Sequence, residues 1–210
     1  MREDNIWMNL LYLVAAIWLF RQWWCDKRAQ SRGQSISSPF PGAYPTNIRM
    51  LTIAVIGALV ILAIETFGEY RLGISDEQEV VHWSFLFSML AAAIVEEIIF
   101  RGYLVYTDRG TPVLLLSIVG FSLLFALIHP YLWTYISPGE GGHSFWGELQ
   151  WAGGTKAYFS TGMIFIHSLW FYAVRFLPPN AKHSLLPCFA AHLSTNVGVF
   201  AVKWMQGHVA

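Results

Sequence analysis

The chain has 210 residues, of which 55% are hydrophobic and only 12% charged, and its mean hydropathy is +0.46. Soluble domains usually carry about 25% charged residues, so this composition excludes an ordinary soluble protein. The formal net charge is zero, and no nucleic-acid partner is expected. Two cysteines, Cys25 and Cys188, are too few for a disulfide framework.

Six apolar stretches along the chain are long enough to cross a bilayer, which takes roughly 20 residues each. The first stretch lacks the basic leader and small-residue cleavage site of a signal peptide, so we expect a retained helix. The predicted fold class is all-α, a multi-pass transmembrane bundle with spans at 5–24, 48–67, 83–106, 112–136, 157–177 and 184–205. Residues 1–47 then form a first helix with an exposed basic linker from Cys25 to Asn47, and 48–210 form the membrane-embedded core.

The basic residues of the connections predict an orientation in the membrane. The first connection holds Arg21, Lys27, Arg28, Arg32 and Arg49, the third Arg101 and Arg109, the fifth Arg175 and Lys182, and the alternate ones only Arg71 and Lys156. Because short cytoplasmic loops are enriched in Lys and Arg, the odd-numbered connections are expected in the cytoplasm. Both termini are then outside a plasma (inner) membrane.

The third span contains three charged residues, which are costly inside a bilayer. Glu97 and Arg101 are four positions apart and lie about 40° from each other on a helix, so they can form an ion pair. Glu96 is about 100° from Glu97 and stays available for another role. The alternative is an ion pair with a spare acid that only stabilises the bundle.

Three later histidines fall in apolar spans. His129 ends the run Phe125-Ala-Leu-Ile-His129 of the fourth span, and His192 in the sixth span shares a face with Asn196. His167 in the fifth span has no such companion and is predicted to form an interhelical hydrogen bond.

The spacing of these residues places them at a common depth. With a rise of 1.5 Å per residue, Glu96 and His129 both lie roughly 25 Å from the turn at 110–112. His192 lies roughly 18 Å from the turn at 178–180, on the same side. Glu96, His129, His192 and Asn196 are therefore predicted to converge on one buried cavity.

Peptide hydrolysis is one reaction that such a cavity supports. A carboxylate can activate water as a general base, and imidazole or amide groups can stabilise the developing oxyanion. Two histidines and a carboxylate would also suit zinc, but the chain lacks an HExxH motif. We therefore favour a site without a cofactor and leave zinc as the alternative.

Three motifs in this order resemble those of the CAAX-protease and bacteriocin-processing (Abi) family. They are Glu96-Glu97-x-x-x-Arg101, Phe125-x-x-x-His129 and His192-x-x-x-Asn196, within 84–204. The resemblance implies a glutamate-dependent intramembrane endopeptidase in which Glu96 is the base. It also implies that His129, His192 and Asn196 hold the water or the oxyanion, and that Glu97, Arg101 and Phe125 support them.

The family resemblance implies a membrane-anchored substrate: a lipidated tail, a peptide precursor or a C-terminal sorting helix. The position of Glu96 in its span favours entry from the cytoplasm, whereas the glycine-rich connection 137–156, with Trp146 and Trp151, is a candidate lid over an outer opening. Two other functions remain as alternatives. They are a non-catalytic immunity or scaffold protein and a small proton-coupled carrier.

Overall fold

The computed structural model describes residues 6–136 and 147–210. Trp146 and most of the glycine-rich part of the connection 137–156 lie outside the described residues. Within the described ranges the chain is mainly helical, in agreement with the predicted class. The α-helices are α1 Ile6–Ser31, α2 Ile48–Leu72, α3 Phe85–Glu96, α4 Thr111–Ile128, α5 Thr155–Phe176 and α6 Leu186–Met205.

Two of these helices, α2 and α4, are long and apolar enough to cross a membrane by length and composition. Helix α3 has only 12 α-helical residues, because a π-helical segment, Glu97–Tyr103, continues it. In that segment the Leu104 N–H donates to the carbonyl of Ile99, five positions earlier. The bundle of six spans remains a prediction.

The fourth helix ends earlier than the sequence analysis predicted. It stops at Ile128, and His129 has extended backbone angles (φ −75°, ψ 139°). Pro130 explains this end, because a residue that precedes proline is disfavoured in the α-helical region. The residues that follow form a strand, so the predicted helix 112–136 is wrong beyond Ile128.

A two-stranded antiparallel ribbon was not predicted. Strand β1, Trp133–Ile136, pairs with β2, Glu148–Trp151, so that Trp133 lies opposite Trp151. The ribbon connects the end of α4 with the start of α5.

Small residues allow α2 to pack closely on its neighbours. A Cβ atom on Gly57 would lie 2.1 Å from the Trp170 ring of α5, and one on Gly198 of α6 would lie 2.4 Å from the Leu62 side chain. The indole N–H of Trp170 donates to the carbonyl of Ala54. Such small-residue contacts are typical of helix packing in membranes.

The predicted exposed linker 25–47 is partly structured. Helix α1 continues to Ser31, and Ala43 is buried. The N–H of Leu185 donates to the carbonyl of Gly42 over 3.0 Å, and a Cβ on Gly102 would meet the ring of Pro41 at 2.8 Å. The first, third and fifth connections therefore lie at one end of the bundle.

Which end faces the cytoplasm can be tested at Cys25, which is exposed on α1, whereas Cys188 is buried. We expect a membrane-impermeant maleimide to label Cys25 only after the cytoplasmic face is opened. A Gln206→Cys variant in a Cys25→Ser background is the matched control, because Gln206 is exposed at the end of α6. If intact cells allow labelling of Cys25 but not of Gln206→Cys, the orientation is the reverse of the predicted one.

Candidate active site

A buried carboxylate, Glu97, lies at the centre of a polar cluster between α3, α5 and α6. Its Oε1 is 3.1 Å from Nη1 of Arg101, and neither side chain is exposed. The same oxygen is 2.8 Å from Nδ1 of His192. The predicted ion pair between Glu97 and Arg101 is therefore present. Glu97 also contacts His192, which the sequence did not predict.

The orientation of His192 follows from this contact. A carboxylate oxygen only accepts hydrogen bonds, so Nδ1 of His192 carries the proton and donates it to Glu97. The ring of Phe171 stacks on the imidazole, with centroids 4.7 Å apart and planes at 21°. Nε2 is left to face Glu96.

Glu96, the neighbouring carboxylate, makes a longer contact with His192. Its Oε2 lies 3.9 Å from Nε2 of His192, and its side chain is 24% exposed. The Oε2 atom has no hydrogen-bond partner among the described residues. Glu96 thus does not join the Glu97–Arg101 pair, and one of its oxygens faces His192.

His129, like His192, has its Nδ1 within hydrogen-bond distance of a protein oxygen. Its Nδ1 is 2.6 Å from the carbonyl oxygen of Phe125, and a carbonyl only accepts, so Nδ1 donates and Nε2 is left with its lone pair. Electrostatic interactions link His129 with both Glu96 and His192. The extended backbone before Pro130 releases His129 from the helix and lets its ring lie against Phe125, with centroids 4.7 Å apart.

Arg101 is enclosed by aromatic rings and by α5. Its guanidinium carbon lies 4.4 Å from the Phe125 centroid and 4.9 Å from that of Tyr172. Nη2 of Arg101 donates to Oγ of Ser168 over 2.6 Å, and this hydroxyl donates in turn to Oγ of Ser122 in α4. Arg101 therefore connects its own helical segment with α5 and, through Ser168, with α4.

Asn196 lies one helical turn from His192, and its amide is used in packing. Nδ2 donates to the carbonyl of Met89 over 2.7 Å. Met89 precedes Glu96 by seven residues, or roughly 10 Å of helix. The second amide hydrogen remains for another acceptor, so Asn196 stays a predicted site residue at the edge of the cluster.

The sequence analysis did not identify several residues of this region, and Glu65 of α2 is the first. It is the partner of the interhelical hydrogen bond predicted for His167, whose Nε2 lies 3.0 Å from the Glu65 carboxylate. A carboxylate inside an apolar span is a signal that could have identified Glu65. No comparable signal marks Ser168 or Phe171. Tyr12 of α1 also lies within electrostatic range of Glu96.

A metal site and a ligand pocket are the other kinds of binding site to consider. In 6–136 and 147–210, no three His, Cys, Asp or Glu side chains are grouped closely enough to hold a metal ion together. An apolar groove of about 540 Å³ lies elsewhere, between α2 and α6, and includes Leu59, Phe67 and Val202. Among the described residues, its lining is made of apolar side chains with Thr66, Tyr70 and Gln206.

The comparisons with known proteins point to the same part of the chain. A family model described as "Type II CAAX prenyl endopeptidase Rce1-like" matches residues 78–198, which contain all three motifs. The match covers more than half of the chain and confirms the resemblance given by the motifs. No curated protein and no solved structure matches the chain.

Proposed function

We propose that this chain, which belongs to the Rce1-like family of type II CAAX prenyl endopeptidases, hydrolyses a peptide bond of a membrane-associated substrate with Glu96 as the general base. One observation carries the proposal. Glu96 Oε2 faces Nε2 of His192 at 3.9 Å without a hydrogen-bond partner among the described residues, while Glu97 binds the other ring nitrogen. Of the two adjacent carboxylates, one is occupied in orienting the histidine and the other is available for proton transfer.

The reaction begins with a water molecule beside Glu96. Glu96 takes a proton from this water as the oxygen attacks the carbonyl carbon of the scissile peptide. The carbonyl electrons move to its oxygen, which becomes an oxyanion. Glu96 then returns the proton to the amide nitrogen, and the oxyanion electrons re-form the C=O bond as the C–N bond breaks. A new carboxylic acid and a new amine result, and the acid then gives its proton to solvent or to the amine.

The two histidines contribute through Nε2, because Nδ1 of each donates to a protein acceptor. As a neutral imidazole, Nε2 accepts a hydrogen bond and orients the water. As an imidazolium, Nε2–H donates to the oxyanion, and the Glu97 carboxylate then compensates the charge on His192. Glu97 and Arg101 are positioning residues in this scheme.

The family description favours one substrate kind among the three implied by the motifs, a prenylated C-terminal tail. Entry from the cytoplasmic side suits such a tail. The direct test is mass spectrometry of membrane-protein termini from cells with the wild-type chain and with Glu96→Gln. New C-termini that appear only with the wild-type chain support the proposal, and identical termini in both samples reject it.

The metal-free site is a separate prediction. We expect the purified protein in detergent to keep its activity after prolonged chelation, because Glu96 alone activates the water. Peptide cleavage before and after dialysis against a chelator is the measurement. Loss of activity with recovery on zinc alone would favour the zinc site instead.

A smaller effect is expected for Asn196→Ala. One oxyanion donor contributes about 3 kcal/mol, or on the order of 100-fold in kcat, and Asn196 keeps one amide hydrogen beyond its bond to Met89. The variant should therefore retain measurable cleavage in a peptide assay. Ser194→Ala is the control on the same helix, because its hydroxyl only donates to the Ala191 carbonyl. Equal rates for both variants would exclude Asn196 from the reaction.

A further inference from the structure

The ribbon β1–β2 has two chemically different faces. Side chains alternate along a strand, and the register pairs Trp133 with Trp151 and Tyr135 with Leu149. These four residues share one face, which we call the aromatic face. The other face carries Thr134 opposite Gln150 and Ile136 opposite Glu148.

The aromatic face is exposed in the described part of the chain. Trp133, Tyr135, Leu149 and Trp151 are 36%, 59%, 68% and 52% exposed. The two indoles meet edge to face with centroids 4.7 Å apart. An isolated two-stranded ribbon is marginally stable in water, so an apolar environment on this face would stabilise it.

The surroundings of the ribbon identify this environment. Helix α4 has 18 residues and a length of roughly 27 Å, close to the roughly 30 Å of a bilayer core. Its last turns expose Leu123, Leu124 and Ile128, and Trp133 follows five residues after Ile128. Exposed apolar side chains therefore occur both on the last turns of this candidate span and on the aromatic face, which are five residues apart along the chain.

The start of α5 extends the same surface. The indole N–H of Trp151 donates to the hydroxyl of Tyr158 over 3.2 Å, and Tyr158 is 55% exposed. Trp and Tyr are the residues that gather at the boundary between lipid headgroups and hydrocarbon, where the ring is buried and the polar group is wet. No charged residue belongs to the aromatic face.

We propose that the aromatic face binds the lipid surface at the end of α4, with its rings in the headgroup boundary and Thr134 and Gln150 in water. This interaction anchors the segment that carries His129, which lies four residues before Trp133. It would set the depth of His129 in the bilayer. The proposal does not depend on the catalytic role of Glu96.

The test uses neighbouring positions on opposite faces of β2. In a Cys25→Ser background, Leu149→Cys or Gln150→Cys is labelled with a nitrobenzoxadiazole fluorophore, and the full chain is reconstituted in phosphatidylcholine–phosphatidylglycerol vesicles. Quenching is measured with aqueous iodide and with doxyl-labelled lipid. The Cys25→Ser protein alone corrects for any reaction of Cys188.

We expect the label at position 149 to emit at shorter wavelength and to be quenched several-fold more strongly by the lipid quencher than the label at 150. Iodide should show the opposite order. Equal quenching at the two positions, or protection of position 149 from both quenchers by a protein partner or a second copy, would overturn the proposal. Tyr135→Cys and Thr134→Cys provide the same comparison on β1 if a β2 variant does not fold.

Discussion

Glu96→Gln is expected to abolish detectable cleavage, with a loss of about 10²–10⁴-fold in kcat. General-base catalysis contributes typically 10²–10⁴-fold, and glutamine keeps the shape of the side chain without its basicity. The variant should fold, because the Glu96 carboxylate is 24% exposed and lies 3.9 Å from His192, beyond hydrogen-bond distance. Cleavage of a prenylated peptide by protein in vesicles, at saturating substrate, gives kcat for both forms.

Glu77→Gln is the matched control for this variant, because Glu77 is exposed in a short helical turn and its neutralisation should not change the rate. His129→Ala and His192→Ala are also expected to remove activity. A wild-type rate in Glu96→Gln would exclude Glu96 as the base. Inactivity of the wild-type chain on every membrane peptide, with proton-coupled uptake into vesicles, would favour the carrier instead.

Arg101→Met is expected to have the largest effect on stability. The substitution leaves Glu97 fully buried without its cation, and removal of one partner of a buried ion pair typically costs about 3–5 kcal/mol. It also removes the hydrogen bond to Ser168. The free energy of unfolding, measured by denaturant titration in mixed micelles, should fall by this amount.

The double variant Glu97→Gln/Arg101→Met separates the charge effect from the packing effect. It leaves no unpaired charge, so we expect most of the lost stability to return. Activity should stay low, because a glutamine at position 97 is neutral and no longer compensates a charge on His192. Arg109→Met, an exposed arginine of the next connection, should change stability by less than about 0.5 kcal/mol. A double variant as unstable as Arg101→Met would show that the cost comes from lost packing.

The sequence predicted the parts of the site that depend on local spacing. Glu97 and Arg101 form the pair that their spacing of four residues predicts, and His192 lies beside both Glu96 and Glu97. The sequence did not predict that His192 binds Glu97, because this contact joins two helices and depends on how they pack. The chain also forms the π-helical segment Glu97–Tyr103, where the sequence predicted a continuous α-helix. A π-helical turn is often found at functional sites.

Other differences have identifiable causes. Pro130 is a sequence feature that favours the end of α4 at Ile128. The span was predicted to reach 136 because the residues after Pro130 are largely apolar. The alternating pattern of Trp133–Ile136 is too short to separate a strand from a helix end. The contacts of Arg101 with Ser168 and Tyr172 depend on tertiary packing, which no local pattern encodes.

The most direct test of the central claim follows the oxygen of water during the reaction. The purified chain in vesicles is incubated with a prenylated CAAX peptide in H₂¹⁸O. The mass of the shortened prenylated peptide, which carries the new C-terminal carboxylate, is then measured by mass spectrometry. The account predicts one ¹⁸O atom in the new carboxylate with the wild-type chain and no product with Glu96→Gln. Labelled product at equal rates from both proteins would contradict the account.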